Sequence, residues 1–321
     1  MTRYLCQRLL QSLVVLLVMS AAIYALIGLM PGDPVDLMIT ADPNLTPEDV
    51  AHLRALYGLD QPLIERYGHW LRSTLSGDWG YSRLYARPVL EALWPALVNT
   101  TLLMASAFSL SIAIAIPTGM IAAARPFSFI DYTINSLAFI GVSMPPFWLA
   151  LILIIVFAVT LGILPAGGTA MAVGSGLWHT ASFLVLPVLT LTLANVGGQI
   201  RYVRAAMLDT LGQDYIRTAR AKGLTERQVL VGHALRSAMI PVVTILALEF
   251  GTLFSGALIT ETVFSYPGMG KLIYDAILGN DYNLALLALL LATAVTLLAN
   301  LLADIAYTLL DPRVSLTRLE P

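Results

Sequence analysis

Six long apolar stretches and two sizeable polar regions make up this chain, and the pattern reads as helices that cross a lipid bilayer. The apolar stretches run from Leu9 to Met30, Val98 to Ala124, Tyr132 to Leu164, Ala181 to Ile200, Met239 to Val263 and Leu284 to Leu310. Each is near or above the roughly 20 residues that a spanning helix needs. The third is longer than one perpendicular crossing requires. Pro145 and Pro146 in its interior predict an elbow, with the true span starting at Phe147. Such breaks near a membrane often line cavities.

The first polar region, Pro31 to Leu97, carries helix punctuation. Thr46-Pro47-Glu48-Asp49 supplies an N-cap, a first-turn proline and early acidic residues, and Gly58 is placed to end that helix after Tyr57. A second helix is expected from Pro62. Its Leu63, Ile64, Tyr67, Trp70, Leu71 and Leu75 recur at helical spacing and form an apolar stripe for the membrane surface or for other spans. Packing is the simpler reading of that stripe. A landing surface for an external partner is the alternative, since nine Asp and Glu face five Arg in this region.

The second polar region, Asp214 to Pro241, reads DYIRTARAKGLTERQVLVGHALRSAMIP and spells helix, turn, helix. Asp214 is positioned to cap a short helix whose negative dipole end meets Arg220 and Lys222, and Gly223 suits the left-handed residue that stops it. Thr225 then starts the second helix. Gln228 stands where a capping box requires it, and Leu224 and Val229 occupy the positions of a hydrophobic staple. In and just before this region, Arg201, Arg204, Arg217, Arg220, Lys222, Arg227 and Arg236 outnumber Asp209, Asp214 and Glu226. A stiff cationic hairpin of this kind reads as a docking surface, or as an ordered loop and nothing more.

Composition fixes the class. With 58% hydrophobic and 12% charged residues, and a mean hydropathy of +0.78, the chain is a polytopic membrane protein rather than a soluble domain. Twelve of the 18 Lys and Arg fall in the N-terminal, second, fourth and C-terminal connecting segments, which the positive-inside rule assigns to the cytoplasm with both termini. Arg3 and Arg8 before the first apolar run also fit a signal peptide. That run is long for a signal core, however, and no clear cleavage site follows it.

Catalytic chemistry has little support. Cys6 is the only cysteine, and His52, His69, His179 and His233 are scattered without ligand spacing, so no metal site is expected. No GxxxxGK[ST] loop occurs, so nucleotide energy, if used, comes from another chain. Three acidic residues fall inside the spans, and such carboxylates are functional candidates by default. Glu249 lies deep in the fifth, beside the small residues Gly251, Ser255 and Gly256. It is read as lining a substrate path or making a structural interhelical hydrogen bond. Glu261 and Asp304 lie nearer the ends of their spans, where each reaches an interface or a helix terminus.

These motifs together resemble the inner-membrane permease subunits of binding-protein-dependent ABC importers, most closely the peptide-type branch. The family's cytoplasmic signature runs Glu-Ala-Ala, three residues, Gly, nine residues, Ile, one residue, Leu-Pro. Gly223 matches its glycine, Ala219 its second alanine and Leu235 its leucine, while Arg217, Thr218, His233 and Arg236 depart from it. The departures resemble those of the first permease in dipeptide and oligopeptide systems, where RTARAKGL and HALR-x-A-x-x-P recur. PGDP at Pro31 to Pro34, YGLDQPL at Tyr57 to Leu63, SGDWGYS at Ser76 to Ser82, FSYPGMGKLIYDAI at Phe264 to Ile277 and LLDPR at Leu309 to Arg313 extend the resemblance along nearly the whole chain.

The resemblance implies an all-α membrane fold of six transmembrane helices, with a structured helical outer segment after the first span and a cytoplasmic coupling helix between spans four and five. Residues 1–97 would hold the first span and the periplasmic segment, 98–310 a five-helix core with its coupling loop at 201–238, and 311–321 a cytoplasmic tail. The chain would be a non-catalytic half of a pore in the inner or plasma membrane of a bacterium or archaeon. A second, homologous permease would complete the pore, and two ATPase subunits would bind ATP and Mg. A solute-binding protein would deliver the substrate, membrane lipid would surround the spans, and no nucleic acid would be involved.

The contact with the ATPase is expected from Arg217, Thr218, Ala219, Arg220, Lys222, Gly223, Leu224, Thr225, Glu226 and Arg227. Path candidates are Glu249, Ser255, Ser143 and Met144. Dipeptides or oligopeptides are the expected cargo, with a nickel chelate, glutathione, an opine or a sugar as alternatives. A secondary transporter would need its own coupling-ion site, and an intramembrane enzyme would need converging catalytic groups; the spans offer little of either.

Overall fold

In a computed structural model of the chain, residues 2–29, 46–56, 59–168 and 177–310 are described, with the single positions Val35 and Ile39. The PGDP motif, the expected stop at Gly58 and residues 311–321 lie outside the described residues. The helices are α1 (Thr2–Gly28), α2 (Pro47–Leu56), α3 (Leu63–Leu75), α4 (Val89–Ala124), α5 (Phe129–Ser143), α6 (Pro146–Leu153), α7 (Leu177–Leu211), α8 (Asp214–Ala221), α9 (Leu235–Val263), α10 (Met269–Leu278) and α11 (Tyr282–Leu310). Two π-helical segments, Ile154–Thr160 and Gln228–Ala234, continue α6 and lead into α9. A two-residue antiparallel ladder, β1 (Tyr81–Ser82) with β2 (Arg87–Pro88), is a small departure from the all-α expectation.

Among the described residues five helices are long and apolar enough to cross a membrane, and the pair α5 and α6 with its π segment, bent by 101°, makes six when taken as one broken span. The bend falls at Met144 and Pro145, where the paired prolines predict an elbow. Pro145 cannot donate to the helix before it, and it presets the backbone for the helix after it. Most of the spanning helices extend past the apolar limits read from the sequence. α4 begins at Val89 rather than Val98, and α7 runs on to Leu211 rather than Ile200. Backbone near hydrocarbon must satisfy its own hydrogen bonds, so helices continue through their polar ends.

By contacts the chain divides into two compact units. The first takes residues 1–98 and 268–297. Its core joins Ile23 and Ile27 of α1, Val89 and Leu93 of α4, Leu272 and Ile273 of α10, and Leu284 and Leu287 of α11. Asp281, just before α11, organises the loops of this unit. One carboxylate oxygen accepts from the Ser82 hydroxyl at 2.6 Å and the Leu84 N–H at 2.9 Å, and the other accepts from the Leu284 N–H at 3.2 Å.

The amphipathic α3 belongs to the same unit. Tyr67 and Trp70 pack with Tyr24 of α1, and the Tyr67 hydroxyl shares a 2.7 Å hydrogen bond with Ser20. Ile64 and Leu75 of α3 stay uncovered, at 81% and 79% exposure. The expected stripe therefore packs through one edge and keeps the other free, as suits a helix lying along a bilayer surface. Thr46 and Asp49 form the predicted cap of α2. The Asp49 N–H reaches the Thr46 hydroxyl, and an Asp49 carboxylate oxygen accepts from the Thr46 N–H at 3.0 Å.

The second unit, residues 99–267 and 298–321, is built around α7. α5 crosses it closely at two glycines. A Cβ on Gly197 would stand 2.2 Å from the Ala138 carbonyl oxygen, and one on Gly141 would stand 2.9 Å from the Leu193 carbonyl oxygen. Small residues at a crossing let the two backbones approach to this degree. Farther along, Leu103, Leu149, Leu153, Leu186 and Leu191 enclose Phe264 and Tyr266 of the loop after α9.

Candidate functional site

The cationic hairpin is held from beneath and open above. Ile216 and Ala219 of α8 are buried, as are Val229 and Ala234 of the following π segment, all in one cluster with Val203 and Met207 of α7. Tyr215, Arg217, Thr218, Arg220 and Lys222, on the rest of α8 and at its end, are exposed. The helix thus spends its apolar face on its own protein and presents the charged one outward.

The turn is closed from several directions. Gly223 takes φ +82°, the left-handed conformation that its position predicts. Its N–H bonds the Arg220 carbonyl at 2.9 Å, and that of Lys222 bonds the Thr218 carbonyl at 3.0 Å. Beyond it, Gln228 Oε1 accepts from the Thr225 N–H at 2.9 Å, and the Gln228 N–H reaches the Thr225 hydroxyl at 3.4 Å. This is the reciprocal capping box that the spacing predicts. Val229 is fully buried and Leu224 packs on the same cluster, so the staple forms as well.

The Arg220 guanidinium spans the turn to Glu226 with bonds of 2.9 and 3.2 Å. Arg227 is exposed. One expectation is corrected. Asp214 is the first helical residue and not the cap; Gln213, with extended backbone, holds the cap position and makes no side-chain cap bond. Asp214 therefore acts through its charge at the positive end of the helix and through a 3.5 Å contact with Arg217, both exposed.

The path candidates are held by separate sets of contacts. Ser143 is exposed at the end of α5, and Met144 sits in the bend, against the cluster that contains Leu149 and Phe264. Glu249 of α9 accepts from Gln199 Nε2 of α7 at 3.1 Å, and the Ser111 hydroxyl of α4 donates to Gln199 Oε1. A polar chain thus joins three spanning helices and includes a carboxylate. The Ser255 side chain lies outside the described residues. Glu261 lies in the last turn of α9, the helix terminus that its position predicts. It is fully buried and accepts from the Thr100 hydroxyl at 2.5 Å. Beside it, burial first and the Glu261 charge second push the Tyr266 hydroxyl up to about 12. Tyr266 therefore stays neutral and donates to the Asn99 carbonyl at 3.2 Å.

Sequence reasoning missed a bidentate ion pair with a buried carboxylate. Asp131 is buried at the start of α5, and Arg204 of α7 grips it with both arms of its guanidinium, Nε at 2.6 Å and a terminal nitrogen at 2.7 Å. Asn135 and the Phe127 N–H supply further donors at 2.7 and 2.9 Å. The available signal was Ser128 three residues before Asp131, the spacing of a helix start; Asp131 N–H does bond that hydroxyl at 3.3 Å. The pair ties the start of α5 to the C-terminal part of α7, near the root of the hairpin.

Comparison with known proteins places this geometry. Residues 115–316 match the family model described as "binding-protein-dependent transport system inner membrane component", and residues 1–92 match the model of its N-terminal region. The oligopeptide transport system permease protein AppB of Bacillus subtilis is 39% identical over 98% of this chain and 99% of its own length. The dipeptide transport system permease protein DppB of Escherichia coli K12 is 36% identical over 91% of this chain and 92% of its own. Among solved structures, a chain of the MetNI methionine ABC transporter superposes with a TM-score of 0.58 at 19% identity. It covers 70% of this chain and 98% of that one, a likeness of fold.

Proposed function

Because the chain belongs to the family of binding-protein-dependent transport system inner membrane components, we propose that it is one half of the pore of an ATP-driven importer for dipeptides or oligopeptides. Relatives named for oligopeptide and dipeptide transport, matched over nearly their whole length, support the cargo. The other half is a second, homologous permease. A solute-binding protein outside delivers the peptide, and two ATPase subunits inside bind ATP and Mg. The bias of Lys and Arg favours both termini in the cytoplasm.

One observation carries the mechanism. The hairpin is doubly capped and anchored by Ile216, Ala219 and Val229 while its charged side chains stay exposed. A lever has to be stiff along its length and open at its tip. Closure of the ATPase pair on ATP pushes Arg217, Thr218, Arg220, Lys222, Glu226 and Arg227, with Ala219, Gly223, Leu224 and Thr225 keeping the turn rigid. The displacement passes into α7 and α9, which share the cluster beneath it. Along the path, Glu249 offers a carboxylate to the ammonium end of a peptide, with Ser255, Ser143 and Met144 as further lining groups.

Gly223→Val tests the lever. A β-branched residue resists positive φ, so the expected result is normal membrane insertion with loss of ATP-coupled dipeptide uptake in proteoliposomes holding all partners. Normal uptake would remove the hairpin from the mechanism. Mass spectrometry of the ligand that copurifies with the assembled importer tests the cargo, and a ligand without a peptide bond would overturn it.

A further inference from the structure

Within the first unit, a cavity of 380 Å³ opens where α1 ends and α11 begins. Ile27 and Gly28 from the end of α1, and Tyr282 and Leu286 from the first turns of α11, line it. Both are spanning helices, so the cavity lies at the level where hydrocarbon gives way to head groups. Its remaining wall fits that level. Tyr24, Trp70, Tyr81 and Tyr282 are amphipathic aromatics of the kind that gather at membrane interfaces. Trp70 comes from α3, whose exposed Ile64 and Leu75 already mark it as a surface-lying helix.

The charge of the cavity is positive. Arg66 and Arg83 line it against one acidic residue, Asp281. The Asp281 oxygens are occupied by Ser82, Leu84 and Leu284, so it serves the loops, and among the described residues neither arginine is in an ion pair. Among the described residues Arg83 donates to the Gly279 carbonyl at 2.6 Å, and Arg66 lies beside Tyr24. A guanidinium has five N–H donors in a planar fork, and the unused ones match the oxygens of a phosphate. The volume falls in the ordinary range for a small-ligand pocket.

We propose that this cavity seats the phosphate head group of an anionic membrane lipid, with Arg66 and Arg83 as its ligands and the aromatic wall against its glycerol and upper acyl chains. The lipid clamps α3 and the β1–β2 turn to the ends of two spans. A free phosphate has the same chemistry toward the arginines but no use for the aromatic wall, so the source is separable by experiment.

The test is native mass spectrometry of the full-length chain released from nanodiscs of phosphatidylglycerol or of phosphatidylcholine. The wild type is expected to retain one phosphatidylglycerol, at least about tenfold more often than phosphatidylcholine, and millimolar inorganic phosphate is expected not to displace it. Arg66→Gln with Arg83→Gln should lose the retained lipid, and the corresponding Lys pair should keep part of it. Tyr81→Glu, at an exposed edge of the cavity, places a negative charge there without removing an arginine and should also weaken retention, which covers the case in which the double variant fails to fold. Equal retention of the two lipids, or undiminished retention in Tyr81→Glu or the Gln pair, overturns the site. Displacement by inorganic phosphate overturns the lipid as its occupant. Uptake is not read, so the outcome is independent of the permease reading.

Discussion

At Gly223 the backbone alone makes the demand. A Cβ there would meet no atom within 4 Å, yet φ is +82°. Substitution therefore acts through the left-handed conformation, worth roughly 1–2 kcal/mol for an ordinary residue, and hardly through crowding. Gly223→Asn is expected to keep most ATP-coupled uptake because asparagine tolerates that region, while Gly223→Ala should fall between Asn and Val. If Asn and Val inactivate equally, the requirement is for bare surface against a partner and not for the turn. Asp131 presents the opposite case, where the side chain is everything. Asp131→Asn leaves the Arg204 guanidinium without its carboxylate, and breaking a buried pair costs about 3–5 kcal/mol. The low end is expected, since the Arg204 side chain retains 22% exposure. Thermal unfolding in detergent should show this loss, and Asp131→Leu combined with Arg204→Met should recover much of it; an unchanged melting point in the single variant would mean that the pair is ornamental.

Between elements, adjacent glycines on α7 offer a matched pair. The Gly197 Cβ position collides with backbone of α5, whereas that of Gly198 meets nothing within 4 Å. Gly197→Ala must push two spanning helices apart and is expected to destabilise by about 1–3 kcal/mol, as overpacking does. Gly198→Ala should be neutral or slightly stabilising, because alanine is the better helix former. Melting points of the two variants, compared side by side, decide it; equal values would mean that the α5–α7 crossing yields freely. The same contrast explains what could be read from the sequence. Caps and staples join residues three to five positions apart, so Thr225 with Gln228 and Leu224 with Val229 are legible from spacing. The Asp131–Arg204 bond joins residues 73 apart, and Ser111 meets Gln199 across 88. Only the packing of α4, α5 and α7 brings those together. The π segment Ile154–Thr160 was illegible for another reason: one extra residue per turn over a single stretch barely disturbs a 3.6-residue pattern in a run that is apolar almost throughout.

For the whole molecule, the hydropathy pattern carried more than local structure did, since an apolar run long enough to cross a bilayer has few other uses. The spans leave their outer surfaces bare, and on α1 Leu9, Leu10, Leu13, Val14, Leu17 and Val18 are all exposed. In water such a face would aggregate; here it calls for lipid or a second permease. Which end of each helix faces the cytoplasm is not contained in the packing, and the argument for it is the distribution of Lys and Arg. The lone Cys6 makes that argument testable. In a Cys6→Ser background, Arg217→Cys on the hairpin and His52→Cys on α2 each introduce one thiol at an exposed position. In right-side-out vesicles a membrane-impermeant maleimide should label His52→Cys at once and Arg217→Cys only after permeabilisation. Adding the ATPase subunits should then protect Arg217→Cys and leave His52→Cys reactive. Labelling in the reverse order would invert the topology. Arg217→Cys reacting equally with and without the ATPases would separate the hairpin from the subunits it is proposed to meet, whatever its side of the membrane.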